Sequence, residues 1–530
     1  MAAVAMLVVV GLSFTFPAIA GQVRFPVDFA GPAPGQAVGR LANPELGDAY
    51  FVIYPWREYL GDRLRHGHVP LWDPYRIGGT PFAADSATGT WYPPNWLYAS
   101  GHVLATFTLI AVASIFGALL LAYWFFRVIE LDPIAAALGA VVFVFSAYMM
   151  KWSSNDAVFG SAMWLPLALG GIEVARRGRI RRGVLLAGVG LALSVLAGHA
   201  QVALYVWLAT LVWAALALAG GFRGRQRPRW FVSRAAAVGA AFALAGGLAA
   251  IQLLPTAELS VNIVRQITTM KVASGTALPA AHLPTLLLPD YRGSPLDGNF
   301  AGPGINYTAT SWYAGLLTLP LAVLGLLARP RRPSIFFAVM VVVGVLCSFG
   351  TPFYRAVLLL PGFDRTLFVT HFILFVDFGL AGLAAMGLHS LLDDQARRPG
   401  WLVPAMSAAL VAVLLLLTID PLGTPLPDSY VRRGGFRALA LAVAGGLVLT
   451  ALARTGSGTR SGARSGTLSR SRLVSPSGAL AGGVVAVLAV DLWLFGFPFN
   501  PYLDPRPVYP RTQEIDHSAP AAGQRPRFAD

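Results

Sequence analysis

Apolar runs of about 17 to 25 residues recur along the whole chain, separated by short polar segments. That length crosses a hydrocarbon core of about 30 Å at 1.5 Å per residue. Lipid offers no partner to open backbone groups, so the runs read as helices. They fall near 1–20, 104–126, 133–150, 160–175, 183–198, 200–219, 235–254, 312–328, 334–349, 366–391, 401–419, 436–453 and 479–497. The predicted fold is therefore an all-α, polytopic integral membrane helix bundle of about 13 transmembrane helices.

With the N-terminus cytoplasmic, the cytoplasmic loops are 127–132, 176–182, 220–234, 329–333, 393–400 and 454–472. These short loops hold 21 of the 40 Lys and Arg residues. Every strong basic cluster then lies on one side, as the positive-inside rule requires, and the C-terminus lies outside. The organisation that follows is a first helix at 1–20, an extracytoplasmic loop at 21–103, helices two to seven over 104–254, and a second outer loop at 255–311. Helices eight to twelve occupy 312–453, a flexible basic linker 454–472, the last helix 473–497 and a short outer tail 498–530. Residues 1–20 also resemble a signal peptide ending at Ala18-Ile19-Ala20, but the positive n-region is missing, which favours an uncleaved helix.

Composition agrees with a lipid environment: 56% of residues are hydrophobic and 12% charged, against roughly a quarter charged in soluble domains. The net charge of +15 follows from the loop arginines. No basic patch is interleaved with stacking aromatics, which argues against nucleic-acid binding. The single cysteine, Cys347, lies in an apolar run, which excludes an internal disulfide and disfavours a thiol nucleophile. There is no nucleotide-binding loop, no Rossmann glycine pattern and no metal-spaced Cys or His set.

The first outer loop carries the most information. Gly47-Asp48-Ala49-Tyr50 precedes an amphipathic stretch from Phe51 to Arg65, in which Phe51, Tyr54, Tyr59 and Leu64 are apolar and Arg57, Glu58, Asp62 and Arg63 polar. This pattern predicts a helix lying along the membrane surface. Gly67-His68-Val69-Pro70-Leu71-Trp72-Asp73-Pro74, Gly78-Gly79-Thr80-Pro81-Phe82 and Trp91-Tyr92-Pro93-Pro94-Asn95-Trp96 follow. Their tryptophans and tyrosines also suit plain interfacial anchoring.

The Gly47 to Trp56 run and the two glycine-proline blocks after it resemble the first loop of the YfhO family of bacterial membrane proteins. Further matches follow in order: Gly198-His199-Ala200-Gln201, Gln252-Leu253-Leu254-Pro255-Thr256-Ala257-Glu258, Trp312-Tyr313-Ala314-Gly315-Leu316-Leu317, Leu360-Pro361-Gly362-Phe363 and Phe499-Asn500-Pro501. The resemblance implies a GT-C-like architecture, in which a helix bundle binds a polyprenyl-phosphate sugar and transfers the sugar outside the membrane. It also implies an acidic base or acceptor-orienting residue in the first outer loop, here Asp48. Two departures stand out. Members commonly carry an acid after an Asn-Tyr pair, where this chain has Ala309. Many continue into a folded outer domain, so a chain ending at Asp530 fits a member that is C-terminally truncated, or one weakened as an enzyme.

Sugar transfer needs a base beside the acceptor hydroxyl and positive charge, or a divalent cation, beside the departing phosphate. Asp48 is the candidate base, with Asp28 its nearest rival and Asp73 and Asp85 behind; a helix cap is the competing reading of Asp48. Arg265, Arg365 and His371 are the candidates for the donor phosphate, with lipid-headgroup snorkelling the alternative. The resemblance implies His371 in place of a usual arginine, which would make donor binding depend on pH near neutrality. His199, Gln201 and Arg57 are candidates to line the same vestibule. Asp377 and Asp491 are acids inside spans, where a charge costs at least about 2.5 kcal/mol unless it faces inward or finds a partner; Asp491 reads as a pin between helices. The expected partners are a lipid-linked sugar donor, a cell-envelope glycan or glycoprotein acceptor and membrane lipids. A transporter or lipid flippase, and a non-catalytic scaffold derived from the enzyme family, are the competing classes. No internal repeat supports a carrier.

Overall fold

The computed structural model describes residues 2–31, 39–76, 78–223, 228–262, 269–302, 306–327, 332–393, 401–458, 475–506 and 508. Arg265, most of the 454–472 linker and residues 509–530 of the tail lie outside the described residues.

The protein is a helix bundle whose long connecting segments bond to one another, Arg40 to the Leu296 carbonyl, Asn43 to that of Phe499 and Thr308 to Glu45. Among the described residues eight helices are long and apolar enough to cross a membrane, nine if one bent pair counts as a single span. The other four expected spans fall on shorter helices, Ile180–Leu196, Thr318–Leu327, Arg332–Ser348 and Leu402–Thr418. Two helices overrun the predicted apolar limits, Pro228–Asn262 and Asp428–Gly458. Their polar ends keep helical hydrogen bonding beyond the hydrocarbon, where hydropathy gives no signal.

Pro133–Phe145 and Ile373–Leu392 form the centre of the bundle, buried along almost their whole lengths. Their neighbours approach through glycine, as expected where close backbone contact drives helix association in lipid. A Cβ at Gly387 would lie 1.9 Å from the Leu321 carbonyl oxygen, and one at Gly325 would lie 2.0 Å from that of Leu383. Gly387→Val should therefore force the Thr318–Leu327 helix away and cost about 1–3 kcal/mol or more. An unchanged melting temperature of the detergent-solubilised variant would contradict this close packing.

The central span breaks after Phe145. Ser146 is extended, with ψ 159°, and the chain restarts as Ala147–Lys151 at an angle of 46°. Freed backbone groups inside a bundle must find protein partners. Ala147 N–H donates to the Tyr313 carbonyl at 2.7 Å, and Tyr148 N–H to Asp377 Oδ2 at 3.3 Å.

The first loop is folded. It contains a 3-10 turn Val27–Ala30, a π-helical turn Ala49–Ile53 running into the helix Tyr54–Arg65, and a two-stranded hairpin pairing Trp72 with Pro81. The helix forms as predicted, but its faces differ from the simple amphipathic reading. Arg57 points inward and is fully buried, whereas Phe51 is 63% exposed. The cause lies 99 residues away: Arg57 pairs with Asp156 through both Nε and Nη2 at 2.8 Å.

Candidate functional site

The loop end of the bundle is held together by the motif residues. Gln252 Nε2 donates to the Ala83 carbonyl at 3.1 Å, and the Thr256 hydroxyl to that of Ala84 at 2.8 Å, fastening the first loop to a membrane helix. Asn500 Nδ2 donates to the Met150 carbonyl at 2.7 Å, and Asn43 Nδ2 to that of Phe499 at 2.7 Å. The buried guanidinium of Arg24 bonds the Ser153 hydroxyl at 2.5 Å and carbonyl at 3.3 Å. The Asn500 and Arg24 contacts brace Met150 and Ser153, in the second limb of the broken span.

Asp48 stands over that segment. It is exposed, sits one residue before the π-helical turn and makes no side-chain capping bond. Its helical backbone angles, φ −60° and ψ −36°, are not those of an N-cap. With Glu45, Trp152, Ser154, Asn155, Asn306 and Thr308 it lines a small cavity of about 40 Å³. π-turns widen a helix locally and recur at functional sites. Glu45 is engaged, accepting from the Thr308 hydroxyl at 3.2 Å. Ala309 is buried in the turn Thr308–Thr310, its N–H bonded to Asn306 Oδ1 at 2.8 Å.

Asp28 is half-buried on its 3-10 turn. Its Oδ2 accepts from Ala42 N–H at 2.6 Å, while its Oδ1 is buried with no partner among the described residues. Asp73 and Asp85 are occupied in local turns, accepting from Tyr75 N–H at 2.9 Å and Ala87 N–H at 3.1 Å.

Behind the Asp48 cavity lies a residue that the sequence reading missed. Lys151 is 1% exposed, its ammonium bonded to the Ser311 hydroxyl and 3.0 Å from the Tyr307 ring centroid. Phe495 and Phe499 face it from 5.0 and 5.5 Å. Aromatic faces attract a desolvated cation strongly. The available signal was a lone charge at the end of an apolar run.

Of the residues predicted to hold donor phosphate, Arg265 lies outside the described residues, and Arg365 and His371 differ in exposure. Arg365 is exposed and loosely held, 3.8 Å from Asp364 and 3.4 Å from the Ser260 carbonyl. His371 is 2% exposed and shares a 2.9 Å hydrogen bond with the Tyr148 hydroxyl. It does meet His199, whose ring centroid lies 4.9 Å away, and Trp152 at the same distance. Gln201 is adjacent, holding Leu367 N–H at 3.3 Å and the Phe368 carbonyl at 2.6 Å. Thus His199, Gln201 and His371 are brought together, and Arg57 is not: it is buried against Asp156, the Thr88 carbonyl and the Tyr98 ring.

The intramembrane acids are both fully or nearly buried. Asp377 caps the broken span, as described above. Asp491 accepts from the Tyr313 hydroxyl at 2.5 Å and from Leu316 N–H at 2.8 Å, linking the last helix to the Trp312–Leu317 motif. Among the described residues no group of three or more His, Cys, Asp or Glu side chains is placed to hold a metal ion.

A loop histidine gives a pH signature at this end of the molecule. Burial, reinforced by Arg292 and Lys151, pushes the His282 imidazole down to about 4, and its Nε2 is buried with no partner among the described residues. The unfolded chain protonates first, near 6.5, so stability contributed by neutral His282 is lost as pH falls from there towards 4. Melting temperature should drop between pH 7 and 4.5, and His282→Gln should remove part of that drop; an identical pH profile in the variant would contradict the assignment.

No family model matches the chain, and no curated protein matches it. Among solved structures it is similar to ArnT from Cupriavidus metallidurans bound to undecaprenyl phosphate. Identity is 14%, with 86% of this chain and 75% of that one covered and a TM-score of 0.37. It is also similar to the arabinosyltransferase EmbB from Mycobacterium smegmatis at 14% identity, covering 86% of this chain and 42% of that one with a TM-score of 0.33.

Proposed function

We propose that this chain is a multi-pass glycosyltransferase of a bacterial cytoplasmic membrane, moving a sugar from a polyprenyl-phosphate-linked donor to a cell-envelope acceptor on the extracytoplasmic side. The observation that carries it is Asp48: an exposed carboxylate that caps no helix N–H, one residue before a π-turn, lining a cleft above the broken span. In this reading the acceptor hydroxyl oxygen attacks the anomeric carbon as its proton passes to the Asp48 carboxylate. The bond from that carbon to the phosphate oxygen breaks, and the phosphate leaves with the electron pair. One displacement inverts the anomeric centre and leaves no covalent sugar on the protein. Glu45, Asn155 and Asn306 supply polar groups around the acceptor.

The test is transfer of radiolabelled sugar from a panel of polyprenyl-phosphate donors to membrane acceptors by vesicles containing the chain. Labelled acceptor above the level of empty vesicles is expected; no transfer from any donor by correctly inserted protein would overturn the enzyme reading. A carrier is the second reading, favoured by the 46° break in the central span and the acid capping it, since carriers build sites from discontinuous helices. Movement of the glycolipid across the vesicle membrane without a new glycosidic bond would select it.

A further inference from the structure

A cavity of about 360 Å³ opens between loop residues 287–299, the first turns of the Asp428–Gly458 helix and the last turns of the Pro476–Gly496 helix. That volume lies in the range of small-molecule sites, about 300–1,000 Å³. Of the residues singled out from the sequence, Tyr313 and Asp491 line it. Three carboxylates face it, each already steadied by a tyrosine hydroxyl. Tyr307 donates to Asp290 at 2.5 Å, Tyr430 to Asp297 at 2.8 Å and Tyr313 to Asp491 at 2.5 Å. A carboxylate oxygen so engaged retains acceptor capacity for a ligand hydroxyl. Burial raises the Asp290 carboxyl above its ordinary range, against the Tyr307 hydrogen bond and the charges of Lys151 and Arg437.

Two arginines complete the lining. Arg433 and Arg437 stand one helical turn apart, so their side chains share a face. The Arg437 guanidinium comes no closer than 4.0 Å to Asp290. Two guanidinium forks one turn apart, that of Arg437 only loosely paired with Asp290, suit a phosphoryl group. The surrounding acids disfavour a free phosphate dianion and suit a phosphodiester, which carries a single charge. The apolar part of the wall includes Leu287, Leu288 and Leu441. The same helix exposes Phe436, Val443 and Leu447 on its outer surface, so a lipid chain leaving the cavity meets apolar surface.

We propose that this cavity binds the headgroup of a phosphodiester-linked glycolipid, with the phosphate on Arg433 and Arg437, sugar hydroxyls on Asp290 and Asp297, and the start of the lipid chain against Leu441. This deepens the glycosyltransferase reading, on which it rests only for the lipid being the sugar donor. It also moves the donor phosphate away from Arg365. The segment from Asn306 to Ser311 separates this cavity from the Asp48 cleft: Tyr307 bonds Asp290 on one side, while Asn306 and Thr308 line the other. A glycolipid held here is therefore at a waiting position, and its sugar must pass the Asn306–Ser311 turn to meet an acceptor hydroxyl at Asp48.

The experiment is equilibrium binding of synthetic geranyl-phosphoryl-glucose to the full chain in detergent micelles, with glucose 1-phosphate and geranyl phosphate as separate arms. Replacing both exposed arginines (R433Q with R437Q) should weaken binding of the diester by about tenfold or more, the loss expected for charge-assisted hydrogen bonds. D297N should weaken it less, and R365Q not at all. Equal diester affinity in the double-arginine variant overturns the proposal, and if that variant still transfers sugar the enzyme reading survives. Glucose 1-phosphate binding as tightly as the diester overturns the lipid assignment in favour of a soluble sugar phosphate. Arginine-dependent diester binding without transfer from any donor upholds the cavity and removes the enzyme reading instead.

Discussion

Asp48→Asn is expected to insert normally and to lose sugar transfer by about 10²–10⁴-fold, the contribution typical of a positioned general base. The change conserves shape and removes only the proton-accepting charge. Because Asp48 is exposed and caps no helix N–H, the fold has no evident stake in its ionisation. A loss of activity with unchanged melting temperature would therefore report chemistry rather than damage. Glu45→Gln is the instructive comparison. Glu45 lines the same cleft but already accepts from the Thr308 backbone and hydroxyl, so its replacement should loosen the 306–311 turn and lower transfer together with stability. Equal transfer by wild type and Asp48→Asn would keep the enzyme and displace the base. The next candidates are then Asp28, with one buried oxygen free of described partners, and Asp290 across the Tyr307 wall.

The bundle was legible because hydropathy acts along contiguous stretches. Each expected apolar run contains helix, and described members of the basic clusters, such as Arg176, Arg181, Arg182, Arg223 and Arg332, fall in the end turns of helices. The motif blocks were legible as important but not as to their work. Gln252, Thr256, Asn500 and Gln201 proved to be fastenings between distant segments, a property that no local pattern encodes. The candidate phosphate cations show the same limit. Arg365 and His371 lie near one another in sequence, yet one is exposed and the other buried beside Tyr148. The groups that do share a cavity, Asp290, Asp297, Arg433 and Arg437, come from segments more than a hundred residues apart. Their loops look like ordinary solvated connections, so the composition that marks a membrane span gives no hint of what its ends assemble.

Arg57 shows how far such long-range pairing can overrule periodicity, and it carries the largest expected effect on stability. Its guanidinium is fully buried, holds Asp156 with two bonds of 2.8 Å, donates to the Thr88 carbonyl and lies 5.8 Å from the Tyr98 ring centroid. Removing one member of a buried pair leaves the other charge uncompensated, at about 3–5 kcal/mol. Arg57→Ala and Asp156→Asn should each lose about that much in denaturant unfolding of the solubilised protein. Arg57→Lys should recover little, since an ammonium cannot reproduce the planar fork. Replacing both by apolar residues of similar size should recover most of the loss, because two matched charges no longer have to be desolvated. The pair also joins the helix that follows Asp48 to the segment carrying Trp152, Ser154 and Asn155, which lines the same cleft. Transfer should therefore fall in the single variants even below their melting temperatures, when the cleft walls separate before the bundle unfolds. Single variants within about 1 kcal/mol of wild type, the worth of an exposed ion pair, would show that water reaches the pair and that the first loop is held by its other fastenings.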